Sequence, residues 1–174
     1  MYPYLNLFGF QLPMYGTCIF IGLGLAILLA VFRAKKVGLQ RDDVFYTCLF
    51  ACIGLIVGGK ILYLVTLIPL FVEQPGLFAS QEVWIAILRG GFVFYGGLFG
   101  ALLMIWWYVK LYKIPFFFML DGLIPSVPLA HAFGRIGCFC AGCCYGVPSV
   151  YGLEFNTSET APHHVKLLPV QLIE

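Results

Sequence analysis

Charge is what this chain has least of. Asp, Glu, Lys and Arg make up only 10% of its 174 residues against 61% apolar, and mean hydropathy is +0.96. A soluble domain carries about 25% charged residues, and one of about 150 residues buries only about 70% of the surface its unfolded chain exposes. An aqueous fold therefore cannot hide this apolar content, and lipid must be the solvent for much of it. The net charge of +2 is too small, and the Lys and Arg too scattered, for a nucleic-acid footprint, so no nucleic-acid partner is expected. No Lys or Arg precedes the first apolar stretch and no cleavage site follows it, so the first span should be retained.

What is present is a series of long uncharged runs. The first extends from about Met14 to Phe32 and stops at Arg33, Lys35, Lys36 and Arg41, close to the roughly 20 residues a helix needs to cross hydrocarbon. The second, about Val44 to Val72, is interrupted only by Lys60 and ends at Glu73, Pro75 and Gly76. Residues 77 to 88 are too short to span and mix Gln81, Glu82 and Trp84 with aliphatics, which predicts an interfacial segment. The third span covers about Gly91 to Val109, and the fourth begins after Pro115 and continues to about Phe139. A polar loop reaches Lys166, and LLPVQLIE reads as the opening of another helix, so the sequence is expected to be a fragment. The fold class is all-α: a polytopic membrane protein with about four complete transmembrane helices and the start of a fifth. Residues 1–174 are expected to form a single membrane-embedded domain. Continuous apolar runs without alternation exclude barrel strands.

Loop charge orients the spans. Four Lys or Arg follow span one and two follow span three, whereas the opposite face carries Glu73, Glu82, Arg89, Glu154, Glu159 and Lys166. The positive-inside rule places loops 33 to 43 and 110 to 115 in the cytoplasm, with the N-terminus and residues 138 to 166 outside.

Each ionisable residue at a helix centre costs about 2.5–3.5 kcal/mol on insertion scales, which makes Lys60, Asp121, His131 and Arg135 informative. His131 and Arg135 are four apart and share a helical face. They can present a proton acceptor and a cation to one ligand, or Arg135 can snorkel to the interface while His131 bonds a carbonyl. Lys60 can likewise serve only to pair or snorkel, and a structural role for Asp121 is as good as a functional one. Small residues at 90, 91, 96, 97, 100 and 101 permit close approach of a helix or a lipid headgroup, and Tyr95 beside them needs a polar partner.

Six collinear blocks carry a resemblance: MYG at 14 to 16, GGKILYLV at 58 to 65, GGFVFYGGLFG at 90 to 100, DGLIPSVPLAHAFGRIGCF at 121 to 139, GCCYG at 142 to 146 and PVQLIE at 169 to 174. In order and approximate spacing they are similar to the prolipoprotein diacylglyceryl transferase family, across essentially the whole chain. The resemblance implies seven transmembrane helices in full-length members and a location in the bacterial cytoplasmic (inner) membrane. It implies transfer of a diacylglyceryl group from phosphatidylglycerol to the lipobox cysteine thiol of a secreted lipoprotein precursor peptide, on the outward side. Membrane lipids and that precursor are the partners implied, and the reaction calls for no cofactor.

The resemblance also distributes roles. Arg135 matches the arginine that contacts the phosphate-bearing lipid, with Gly134 beside it in the family signature. Tyr15 matches a functional tyrosine, Lys60 a basic residue on span two, and Gly96 and Gly97 the glycines of a His-Gly-Gly motif whose histidine is here Tyr95. Cys138, Ala141 and Cys143 stand where the signature has two amides and an acid, marking a divergent branch. Attack by a thiol on a glyceryl carbon needs a thiolate and a stabilised phosphate leaving group. The arginine fork suits the phosphate, and a histidine suits neutral-pH proton transfer better than a tyrosine of pKa about 10. His131 is thus expected to replace the base missing at position 95. Catalytic roles fall to His131, Tyr95 and Tyr15, and substrate binding to Arg135, Gly134, Gly96, Gly97 and Lys60.

Cys138, Cys140, Cys143 and Cys144 leave a competing reading open. They can pack, form disulfides in an oxidising compartment, or take part in metal or redox chemistry, with His163 and His164 completing a zinc site. The primary assignment includes no metal. The alternatives are a membrane metal or redox protein and a noncatalytic family remnant.

Overall fold

The computed structural model describes residues 4–7, 10–74, 76, 80–156, 158 and 160–173. Expectations at Pro75, residues 77–79, Glu159 and Glu174 lie outside the described residues. A hairpin, β1 (Tyr4–Leu7) and β2 (Phe10–Pro13), leads into α1 (Met14–Val37); α2 (Arg41–Thr66), α3 (Ile68–Glu73), α4 (Gln81–Arg89) and α5 (Phe94–Leu111) follow. After these come α6 (Phe116–Leu123), a 3-10 turn at Ile124–Ser126, α7 (Val127–Ala141), strands β3 (Pro148–Glu154) and β4 (Lys166–Leu167), and α8 (Val170–Ile173).

Among the described residues, four helical stretches are long and apolar enough to cross a membrane: Met14–Val37, Arg41–Thr66, Phe94–Leu111 and Phe116–Ala141. The architecture is that of an all-α polytopic membrane protein. Its outward-facing aromatics, among them Phe20 at 81% and Phe99 at 67% exposure, are suited to lipid and not to water. The second run ends earlier than the expected Val72: α2 stops at Thr66, because Pro69 in the first turn of α3 has no N–H to continue the ladder. In the fourth span Pro125 and Pro128 produce the 3-10 turn, where the Ser126 hydroxyl donates to the Leu123 carbonyl at 2.6 Å. Among the described residues, two short antiparallel strand pairs, β1–β2 and β3–β4, lie outside these helical stretches and were not expected from the apolar runs.

The chain forms two compact units. One comprises residues 34–122. Its body is the packing of α2 on α5, and the sequence makes it close: a Cβ on Gly54 or Gly100 would enter the other's backbone, as would one on Gly58 or Gly96. Such small-residue seams replace the hydrophobic drive that lipid removes. At one end of the seam the buried Tyr108 donates its hydroxyl to Asp43 at 3.2 Å and stacks on Tyr112 at 4.5 Å. Near the other, Lys60 donates to the carbonyls of Ile87 at 3.2 Å, Leu88 at 2.9 Å and Gly90.

The second unit comprises residues 1–33 and 123–174. Here α1 meets α7 where Phe133 fills the space over Gly22 and where Tyr15 and Cys18 lie against Gly137. Beyond α7, Phe155, Ala161 and Leu167 form a small buried core with Phe139 and Val165 packed on it.

Candidate functional site

The predicted site residues fall into two groups, one in each unit. Lys60, Tyr95, Gly96 and Gly97 belong to the α2–α5 unit, and Tyr15, His131, Gly134 and Arg135 to the α1–α7 unit.

In the first group packing accounts for the glycines. A Cβ on Gly96 would lie 2.5 Å from both the Gly58 carbonyl and Leu62 Cβ, and one on Gly97 would lie 3.0 Å from the Leu55 carbonyl. Tyr95, expected beside these small residues with a polar partner, is 66% exposed and sets its ring edge against Phe94 at 5.9 Å. Lys60 has an accounted-for partner for each of its three protons. Those partners include the last carbonyls of α4, where a cation complements the helix dipole. Its Nζ also lies 5.7 Å from the centre of the Tyr63 ring.

In the second group His131 and Arg135 both lie on α7, one turn apart, as their spacing predicts. His131 is exposed, and Arg135 is half-buried with its Nε enclosed. Gly134 is an open point of this surface: among the described residues, nothing outside its own stretch of helix comes within 4 Å of the place its Cβ would take. An imidazole, a guanidinium and an unfilled space therefore sit within one helical turn, an arrangement that can receive a phosphate and a proton. Tyr15, 44% exposed, approaches the next turn of α7 at Gly137.

Past Arg135 the helix ends in a way that organises the cysteines. Gly142 takes the left-handed conformation (φ 71°), its amide donates to the Phe139 carbonyl at 3.2 Å, and the Cys143 amide donates to the Cys138 carbonyl at 3.0 Å. This pair of bonds is a Schellman stop, in which the residue after the glycine comes back over the residue five earlier. Apolar side chains usually meet there, and here the two are Cys138 and Cys143. Cys144 follows with φ 57°, sparsely populated for a residue with a Cβ. The three sulfurs lie within 4.8 Å of one another. The fourth cysteine of the run, Cys140, is not part of this group and lies beside the Cys18 thiol instead. All seven cysteines are free thiols. Burial above all, and then the adjacent Cys144, raises the Cys143 thiol above its ordinary range.

The surrounding loop fixes this turn. The Ser158 hydroxyl lies 3.0 Å from the Gly142 carbonyl and 3.2 Å from that of Ala141, and accepts from the amides of Thr160 and Ala161 at 3.1 Å each. Gln171 is buried and donates to the Cys143 carbonyl at 2.7 Å. His163, expected as a possible metal ligand, bonds the Ser158 carbonyl at 2.8 Å, and the His164 amide donates to Asn156 at 2.8 Å. Sequence reasoning missed Ser158 and Gln171 as supports. The one signal for the turn itself was a glycine at the end of an apolar run with a cysteine directly after it.

The family pattern described as prolipoprotein diacylglyceryl transferase matches residues 3–174. A Clostridium tetani protein named phosphatidylglycerol–prolipoprotein diacylglyceryl transferase is 38% identical over 169 residues, covering 96% of this chain and 65% of the relative. A Clostridium perfringens protein of the same name, with the suffix 2, is 34% identical over 169 residues, covering 96% and 64%. A Serratia proteamaculans protein of that name is 35% identical over 171 residues, covering 92% and 57%. The chain thus spans between 57% and 65% of the length of these curated relatives.

Proposed function

Since the chain belongs to the prolipoprotein diacylglyceryl transferase family, we propose that it serves the reaction its relatives' names state, transfer of a diacylglyceryl group from phosphatidylglycerol to the thiol of a lipoprotein precursor. The observation that carries this reading on the chain itself is the α7 surface, where Arg135 and His131 lie within one helical turn of the open position at Gly134.

The chemistry assigns each group a task. The acceptor thiol gives up its proton to His131, and the thiolate sulfur attacks the glyceryl carbon that carries the phosphate ester. A carbon–sulfur bond forms, the carbon–oxygen bond breaks, and glycerol phosphate leaves with the electron pair. Arg135 holds the phosphate oxygens through its planar fork, and the low-dielectric setting strengthens that contact as charge develops. Tyr15, lying against the same helix, helps to bound the lipid. In this reading the chain sits in the bacterial inner membrane with its N-terminus and the far end of α7 outside, which the basic loops at 33 to 43 and 110 to 115 support.

The test supplies the protein, in lipid nanodiscs containing phosphatidylglycerol, with a lipobox peptide. Diacylglyceryl mass should appear on the peptide cysteine together with an equal amount of released glycerol phosphate. Folded protein that produces neither would overturn the reading and leave the chain a noncatalytic member.

A further inference from the structure

The reaction above uses no cysteine of this chain, yet three converge at the end of α7. Cys138 and Cys143 are brought together by the Schellman stop at Gly142, and Cys144 joins them through its left-handed backbone. We propose that Cys138, Cys143 and Cys144 form a trithiolate binding site for a soft d10 metal cation.

Four observations carry this. The first is distance: the sulfurs lie within 4.8 Å of one another, and a cation with metal–sulfur bonds of about 2.3 Å holds three thiolates about 4.0 Å apart in a trigonal plane. Closing onto the ion takes less than an ångström of movement. The second is preorganisation. The turn is held by Ser158 at the Gly142 carbonyl and by Gln171 at the Cys143 carbonyl, so two of the three ligands sit on a backbone that the loop has already fixed. The third is access, because Cys144 is exposed while Cys138 is only 9% exposed, giving the cluster a deep side and an open side. The fourth is selectivity within the run: Cys140, two residues from Cys138, is turned to Cys18 and stays out of the group. Simple cysteine enrichment gives no reason for that division.

Ligand chemistry names the class of ion. Thiolates are soft donors and select Cu(I) or Zn(II) over oxygen-seeking cations. Cu(I) is satisfied by three thiolates in a plane, whereas Zn(II) completes four-coordination with a water on the open side of Cys144. Binding displaces the thiol protons to solvent and changes no oxidation state.

The test uses the full chain in detergent, kept reduced and presented separately with Zn(II) and with Cu(I). One ion per chain is expected for at least one of them, and Co(II) substituted for zinc should give intense sulfur-to-metal charge-transfer absorption. Replacing Cys138, Cys143 or Cys144 with serine should weaken binding by more than the ~10- to 100-fold typical of outer-shell changes, while Cys140→Ser should bind like the parent. If the serine variants fail to fold, metal protection of the same three thiols against maleimide, read residue by residue by mass spectrometry on the unaltered chain, decides the matter. No bound ion, unchanged binding in Cys143→Ser, or a disulfide among the three in freshly isolated protein would each overturn the site.

Discussion

Lys60 on α2 donates to the carbonyl of Leu88 on α4 at 2.9 Å, across 28 residues of sequence. With the bonds to Ile87 and Gly90 it ties the end of a nine-residue helix to a membrane span. Lys60→Met should therefore lower stability by about 1.5–3 kcal/mol, the range for hydrogen bonds to a charged group, measured by reversible unfolding in mixed micelles. The resemblance instead makes Lys60 a lipid contact. Unchanged stability with weakened phosphatidylglycerol binding would decide for that role.

Two glycines separate packing from binding. Gly96→Ala forces a methyl into the Gly58 carbonyl and Leu62, so it should destabilise the α2–α5 unit by roughly 1–3 kcal/mol. Gly134→Ala meets nothing within 4 Å and removes a helix-interior glycine, so stability should hold or rise by up to about 1 kcal/mol. If the space at Gly134 receives lipid, the same variant loses transfer activity while remaining folded. Equal destabilisation of the two would refute the division between a packed and an open face.

The division between what was readable from the sequence and what was not follows the range of the interactions. The spans were legible because lipid demands long uncharged runs, and the break at Leu67 was missed because an apolar run continues through Pro69. That His131 and Arg135 lie one turn apart on α7 follows from helical spacing alone. Lys60 could be singled out but its partners could not, since they come from a helix about 30 residues later. Four cysteines in one stretch were conspicuous, yet spacing did not say that Cys140 leaves the group and that Cys138 joins Cys143. That outcome depends on the backbone reversal at Gly142 and on Ser158 and Gln171, which hold it from 16 and 28 residues away.

Topology gives an independent prediction. Lys110 lies over the Trp106 ring at 4.6 Å, the arrangement of a lysine and a tryptophan anchored at a membrane interface. Reporters fused after Lys36 or Lys113 should read as cytoplasmic, and one fused after Glu154 as external. A cytoplasmic signal at Glu154 would put the Arg135 end of α7 on the wrong face for a secreted precursor.

The decisive prediction concerns Arg135 and His131. Arg135→Lys keeps the positive charge but replaces a planar fork with a point charge; if Arg135 holds the phosphate, bidentate contact is lost, transfer should fall strongly and phosphatidylglycerol binding should weaken. His131→Gln keeps hydrogen bonding and approximate size but cannot accept and release a proton near neutral pH. If His131 is the general base, turnover should drop by about 10²- to 10⁴-fold. Because His131 is exposed on α7, this change should leave thermal unfolding unaltered, which separates a chemical role from a structural one. The two variants also differ in kind: loss of Arg135 affects both lipid binding and the chemical step, whereas loss of His131 affects the chemical step and spares lipid binding. A folded His131→Gln protein with the parent's rate and pH profile would remove the histidine from the mechanism while leaving Arg135 as the phosphate contact.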